Sequence, residues 1–205
     1  MSVFMARGRV EVVEEAPSVN YVDYLESSGT QYINTGFKNN QDTRIVVDAQ
    51  VVKSPSANAW LFGGKNSTTV GARNVFLLNG KTWSVDYNSD ATRKGVSGVG
   101  ILDRLHVDFD KNVITINGKT QTFDAATFQC KYDHYLLAQN KVGEVSGYIS
   151  ARLYSCQIYD NGVIVRDYWP CYDPDGVACL YDRVNKEYVY NAGKGDFVAG
   201  MDEEE

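Results

Sequence analysis

Histidine is scarce in this 205-residue chain, at two residues, and none of the familiar catalytic signatures is present. His106 and His134 lie near no Gly-x-Ser-x-Gly elbow, so a nucleophile-and-base reading has nothing local to rest on. The four cysteines, Cys130, Cys156, Cys171 and Cys179, show no Cys-x-x-Cys spacing. Zinc ribbons and dithiol redox motifs are thereby excluded. Basic clusters are missing too: the net charge is -6 and the Lys and Arg residues are scattered. Displacing counterions from nucleic-acid phosphates needs clustered cations, so no nucleic-acid partner is expected. No apolar run approaches the ~20 residues of a membrane span. Arg7, Arg9 and Glu11 interrupt the N-terminus where a signal peptide would need an apolar stretch. The expectation is therefore a chain made in a reducing cytosol with free thiols, Cys171 and Cys179 being the alternative pair across a turn. Long helix-forming runs, internal repeats and low-complexity segments are also absent.

What the chain has instead is 18 Gly, 14 Tyr and 8 Phe, with apolar residues alternating in short runs. Ile45, Val47, Ala49 and Val51 share one face of a strand, opposite Arg44, Asp48 and Gln50. Further strands are expected at Trp60–Phe62, Val75–Leu78 and Trp83–Tyr87, bounded by Gly63-Gly64, Asn79-Gly80 and Asn88-Ser89-Asp90. Leu105, Val107 and Phe109 begin a three-stranded meander through Lys111-Asn112 and Asn117-Gly118, the second a strong hairpin signal because both residues tolerate positive φ. One helical turn is expected at Asp124–Phe128. Strands at 135–138, 148–159, 163–169, 178–181 and 188–190 follow. So many short strands without intervening helices predict an all-β, two-sheet antiparallel sandwich.

The run Tyr24-Leu-Glu-Ser-Ser-Gly-Thr-Gln-Tyr-Ile-Asn-Thr-Gly-Phe37 resembles the opening of a concanavalin A-like, laminin-G-like jelly-roll domain. The resemblance continues through Leu61-Phe-Gly-Gly64, Trp83–Tyr87, Leu105–Gly118, Ala151–Tyr159, Val165–Pro170 and Gly176–Gly193, covering about 21–200. Such domains occur in phage virion proteins and gut bacterial surface proteins. The organisation expected is an arm at 1–18 for docking or oligomerisation, a jelly roll at 19–200 and an acidic tail at 201–205. Phe4, Val10, Val12 and Val13 are the candidate assembly residues, because β-branched side chains suit a strand that can join a neighbour's edge.

Jelly-roll hydrolases use a Glu-x-Asp-x-Glu strand, which is missing here. Asp108 and Asp110 would project the same way, ~6.6 Å apart. That separation suits a glycosidase pair, but turn chemistry at Lys111-Asn112 already explains Asp110. No enzyme is expected. Laminin-G-like relatives often bind calcium through loop carboxylates. Asp173-Pro-Asp175-Gly176 offers two, against the six to eight oxygens a hard cation takes. It reads as a Pro-initiated turn, so no cofactor is expected and calcium stays the one open alternative. For carbohydrate, Trp60, Trp83, Tyr87 and Asn88 near strand ends are the candidates, since sugars stack on exposed aromatic faces. Core packing competes for both Trp side chains, because Trp60 shares a face with Phe62, and Trp83 with Val85 and Tyr87. Together these readings imply a non-catalytic virion surface protein of a phage, on capsid or tail. It would associate with other virion proteins through the arm, form a homo-oligomer and have the capacity to bind glycans. The alternative is a carbohydrate-binding module or adhesin of a gut bacterium, displayed on the cell surface.

Overall fold

The computed structural model describes residues 18–67 and 70–202. The candidate arm residues Phe4, Val10, Val12 and Val13 lie outside them, as does the tail beyond Asp202. Among the described residues there is no helix. In chain order the strands are β1 (Asn20–Tyr21), β2 (Tyr24–Ser28), β3 (Ile33–Asn34), β4 (Thr43–Val51), β5 (Ala59–Lys65) and β6 (Ala72–Leu78). Then come β7 (Thr82–Val96), β8 (Arg104–Asp110), β9 (Val113–Ile116), β10 (Lys119–Thr122), β11 (Tyr135–Leu136) and β12 (Gln139–Lys141). The chain ends with β13 (Glu144–Ser146), β14 (Ser150–Asp160), β15 (Val163–Tyr172), β16 (Ala178–Asp182), β17 (Glu187–Val189) and β18 (Val198–Gly200).

They form two sheets. The larger runs β10-β9-β8-β4-β14-β15-β16-β17, with β1 and β2 entering between β15 and β14 and β18 pairing β2. The smaller runs β13-β12-β5-β11-β3, with β6 on β5 and β7 on β6. The two-sheet sandwich expected from the alternation, and the jelly roll that the resemblance implied, are thus the fold. In β4 every second residue from Thr43 to Val51 is buried and the others are partly exposed. Ile45, Val47, Leu105, Val107, Phe109, Ile114 and Ile116 of the larger sheet meet Leu61, Val75, Leu77, Trp83, Val85 and Tyr87 of the smaller in one core. Each such side chain contributes ~1.5–3 kcal/mol by leaving water. The meander β8-β9-β10 forms as read, with Asn117 and Gly118 at φ 47 and 78 between its last two strands.

Two local expectations change. Residues 124–128 form no helical turn; Phe128 goes into the core, and its N–H donates to Gln41 Oε1 at 3.1 Å. Trp60 and Phe62 do not share a face. A register irregularity between them turns Trp60 outward onto Phe76, 4.9 Å away and nearly parallel, while Phe62 and Leu61 both enter the core. A bulge adds a residue to one strand and reverses the parity that alternation assumes.

A fork in the larger sheet positions the site. Between Cys156 and Asp160, β14 pairs with β15. Between Ser150 and Leu153 it pairs with β2 instead. From Cys171 onward β15 pairs with β1. The two long strands therefore separate, and Val22 and Asp23, linking β1 to β2, cross the gap. Pro170 sits where β15 changes partner. It has no N–H for the gap to strand, which is the condition under which a strand tolerates proline. Its carbonyl accepts the Val22 N–H at 3.0 Å.

Candidate functional site

At the fork two hollows open side by side on the outer face of the larger sheet. One, of about 380 Å³, is lined by Tyr21, Val22, Asp23, Trp169, Arg183 and Met201. The other, of about 410 Å³, is lined by Val22, Asp23, Asp48, Arg104, Tyr154, Ser155, Trp169 and Asp202. Trp169 and the Val22-Asp23 link belong to both, so the half-buried indole is the shared wall. Volumes of this size, with aromatic walls and a few polar groups, are typical of small-molecule sites.

Each wall is held in place. The Trp169 indole N–H donates to Asp167 Oδ1 at 3.0 Å, and the Arg183 guanidinium lies 4.7 Å from the ring centre. Arg183 Nε in turn donates to Asp167 Oδ2 at 2.7 Å. Across strands the same face continues through Tyr181, which pairs Trp169, to Tyr188. Tyr21 meets Tyr181 edge to face at 6.3 Å. On the other side Arg104 lies 3.6 Å over the Tyr154 ring and holds both Asp48 oxygens, at 2.9 and 3.0 Å. Those hydrogen bonds keep its pKa above the ordinary guanidinium value, while burial raises that of Tyr154. Asp202 closes the rim: its N–H donates to Asp23 Oδ2 at 2.8 Å, and its carboxylate lies 3.4 Å from Arg104 and 3.6 Å from Arg152.

The residues singled out from sequence do not assemble. Trp83 is 1% exposed and gives its indole N–H to the Gly100 carbonyl; Tyr87 is 2% exposed and packs on Phe109, Phe123 and Phe128. Both are core residues with no ring face for a sugar. Asn88 takes φ 62 within β7, and its Oδ1 accepts the Gly71 N–H. Trp60 alone faces outward, on the smaller sheet, near Asn74, whose Nδ2 donates to Asp86, itself held by Arg93. Asp108 is clamped by Arg44 through two hydrogen bonds of 2.9 and 2.7 Å, and Asp110 is exposed at the hairpin end. Asp173 spends Oδ1 on the N–H groups of Asp175 and Val177 and Oδ2 on the Tyr190 hydroxyl, as a turn requires. Trp169 reads from sequence as a further core residue; it is instead partly exposed, because Pro170 marks an irregularity in the strand but not that the sheet divides there.

No protein-family model and no curated protein matches the chain. Solved structures do. The CBM40 module of Ruminococcus gnavus IT-sialidase, bound to α2,3-sialyllactose, matches with a TM-score of 0.51 and 13% identity, over 70% of this chain and 92% of that one. A candidate carbohydrate binding protein from Bacteroides ovatus matches with a TM-score of 0.58 and 9% identity, over 90% of this chain and 61% of that one. At these identities the likeness shows the fold: a two-sheet jelly-roll sandwich of the kind carbohydrate-binding modules use.

Proposed function

We propose that this chain is a carbohydrate-binding module without catalytic activity, with its site in the groove around Trp169. The carrying observation is that one indole forms the common wall of two adjoining hollows rimmed by Asp23, Asp202 and Ser155. The apolar face of a pyranose packs on such a ring while hydroxyls bond the polar rim, and neighbouring hollows accommodate neighbouring sugar units. The R. gnavus and B. ovatus likenesses support this reading over virion decoration. Hydrolysis would require one carboxylic acid and one free carboxylate about a sugar. Asp48 is instead held by both of its oxygens to Arg104.

The test is titration of the full chain against a panel of polysaccharides, by affinity electrophoresis and calorimetry. Trp169→Ala should weaken binding at least ~10-fold, the effect of losing ~1.4 kcal/mol of stacking. Trp60→Ala should leave it unchanged, and both variants should keep a cooperative melt. Loss of binding in the Trp60 variant alone would move the site to the smaller sheet. Reducing ends released from the panel would contradict the non-catalytic reading.

A further inference from the structure

Building on the glycan reading, we infer that the Trp169 groove selects neutral, hydroxyl-donating sugars and rejects carboxylated ones. The charges that line it are three carboxylates, Asp23, Asp48 and Asp202, against two guanidinium groups, Arg104 and Arg183. Recognition of a sugar carboxylate relies on an unspent Arg fork or Lys ammonium, because only a charge-assisted bond repays the cost of desolvating the anion. No lysine lines either hollow.

Both guanidinium groups already hold a carboxylate through the Nε–Nη2 edge that a bidentate partner uses. Arg183 places Nε and Nη2 on the Asp167 carboxylate, at 2.7 Å each. Arg104 gives Nε and Nη2 to Asp48 and turns Nη1 to Asp202, with the Tyr154 ring against its flat face. An entering carboxylate would find each guanidinium charge already balanced by a carboxylate and would face Asp23 and Asp202 at the rim. A hydroxyl meets the opposite situation. Asp23 uses Oδ2 for the Asp202 N–H, and its Oδ1 has no hydrogen-bond partner among the described residues. Ser155 lines the second hollow with its hydroxyl likewise uncommitted there. The groove therefore offers acceptors to a ligand rich in donors, around an aromatic wall that suits the C–H face of a pyranose. This departs from the R. gnavus neighbour, whose bound sugar carries a carboxylate.

The full chain should be titrated against ligand pairs that differ in whether the carboxylate is free or methyl-esterified: polygalacturonate de-esterified or methyl-esterified, and α2,3-sialyllactose as the free acid or its methyl ester, alongside neutral glucans and mannans. Neutral members should bind at least ~10-fold more tightly than their carboxylated partners at low salt. The gap should narrow as salt screens the rim. Asp23→Asn should narrow it as well, by raising affinity for the carboxylated member. Preference for the carboxylated member, or equal affinity at every salt concentration, would overturn the inference while leaving the glycan reading intact. Binding of no ligand in either set would overturn both.

Discussion

At the scale of single residues, turns and buried polar groups carry the sharpest constraints. Asn79 and Gly80 link β6 to β7 with φ 53 and 66, the positive pair that a tight hairpin needs. A Cβ on Gly80 would overlap the Pro55 carbonyl oxygen, which is backbone and cannot swing aside. Gly80→Ala should therefore destabilise the fold by about 1–3 kcal/mol, read as a lower denaturation midpoint. His134 makes a different point. It is 0% exposed, with Nδ1 3.1 Å from Asn39 Nδ2 and its ring 5.6 Å from Phe62. Burial first, and then the Arg73 cation, push its pKa from 6.5 down to about 3. The unfolded chain binds that proton more readily, so the contribution of neutral His134 is complete above pH 6.5 and is lost as pH falls toward about 3. Denaturation midpoints should fall with acid over this window, and less steeply in His134→Phe, which takes up no proton. Parallel slopes would contradict the assignment.

At the scale of elements, legibility tracked locality. The alternation of β4 and the Asn-Gly turn of the meander are written in adjacent residues, and both appear where expected. The bulge after Trp60 is not written that way. Its parity change depends on how β5 meets β6, so Trp60 and Phe62 were placed together when they lie on opposite faces. The fork is less local still, since it arises from Tyr21 pairing Cys171 and Leu25 pairing Leu153. No window around Trp169 contains those partners. The cysteines across β15 and β16 are an intermediate case: Cys171 and Cys179 are opposed in register with sulfurs 3.7 Å apart, both fully buried as free thiols. Exchange with oxidised glutathione should join them, one protein disulfide forming as two glutathione thiols are released. Titratable thiols in denaturant should drop from four to two. Closing so short a loop should stabilise the fold by roughly 2–3 kcal/mol. Four thiols surviving oxidation would show that the strand pair cannot reach disulfide geometry.

At the scale of the whole molecule, the sandwich has two outer faces, and each presents one outward tryptophan. On the smaller sheet Trp60 lies flat against Phe76, and Gly147 lies so near the ring that a Cβ there would overlap it. On the larger sheet Trp169 lines open space where the sheet divides. On the proposed reading the second arrangement is the functional one, and the core aromatics Trp83 and Tyr87 serve stability alone. The most direct test is amide and indole chemical-shift mapping of the full chain on addition of a neutral glycan that it binds. The predicted shifts cluster at Tyr21–Asp23, Ser155, Asp202 and the Trp169 indole N–H. Shifts confined to the Trp60 indole and Asn74 would place the ligand on the other sheet and contradict the Trp169 site.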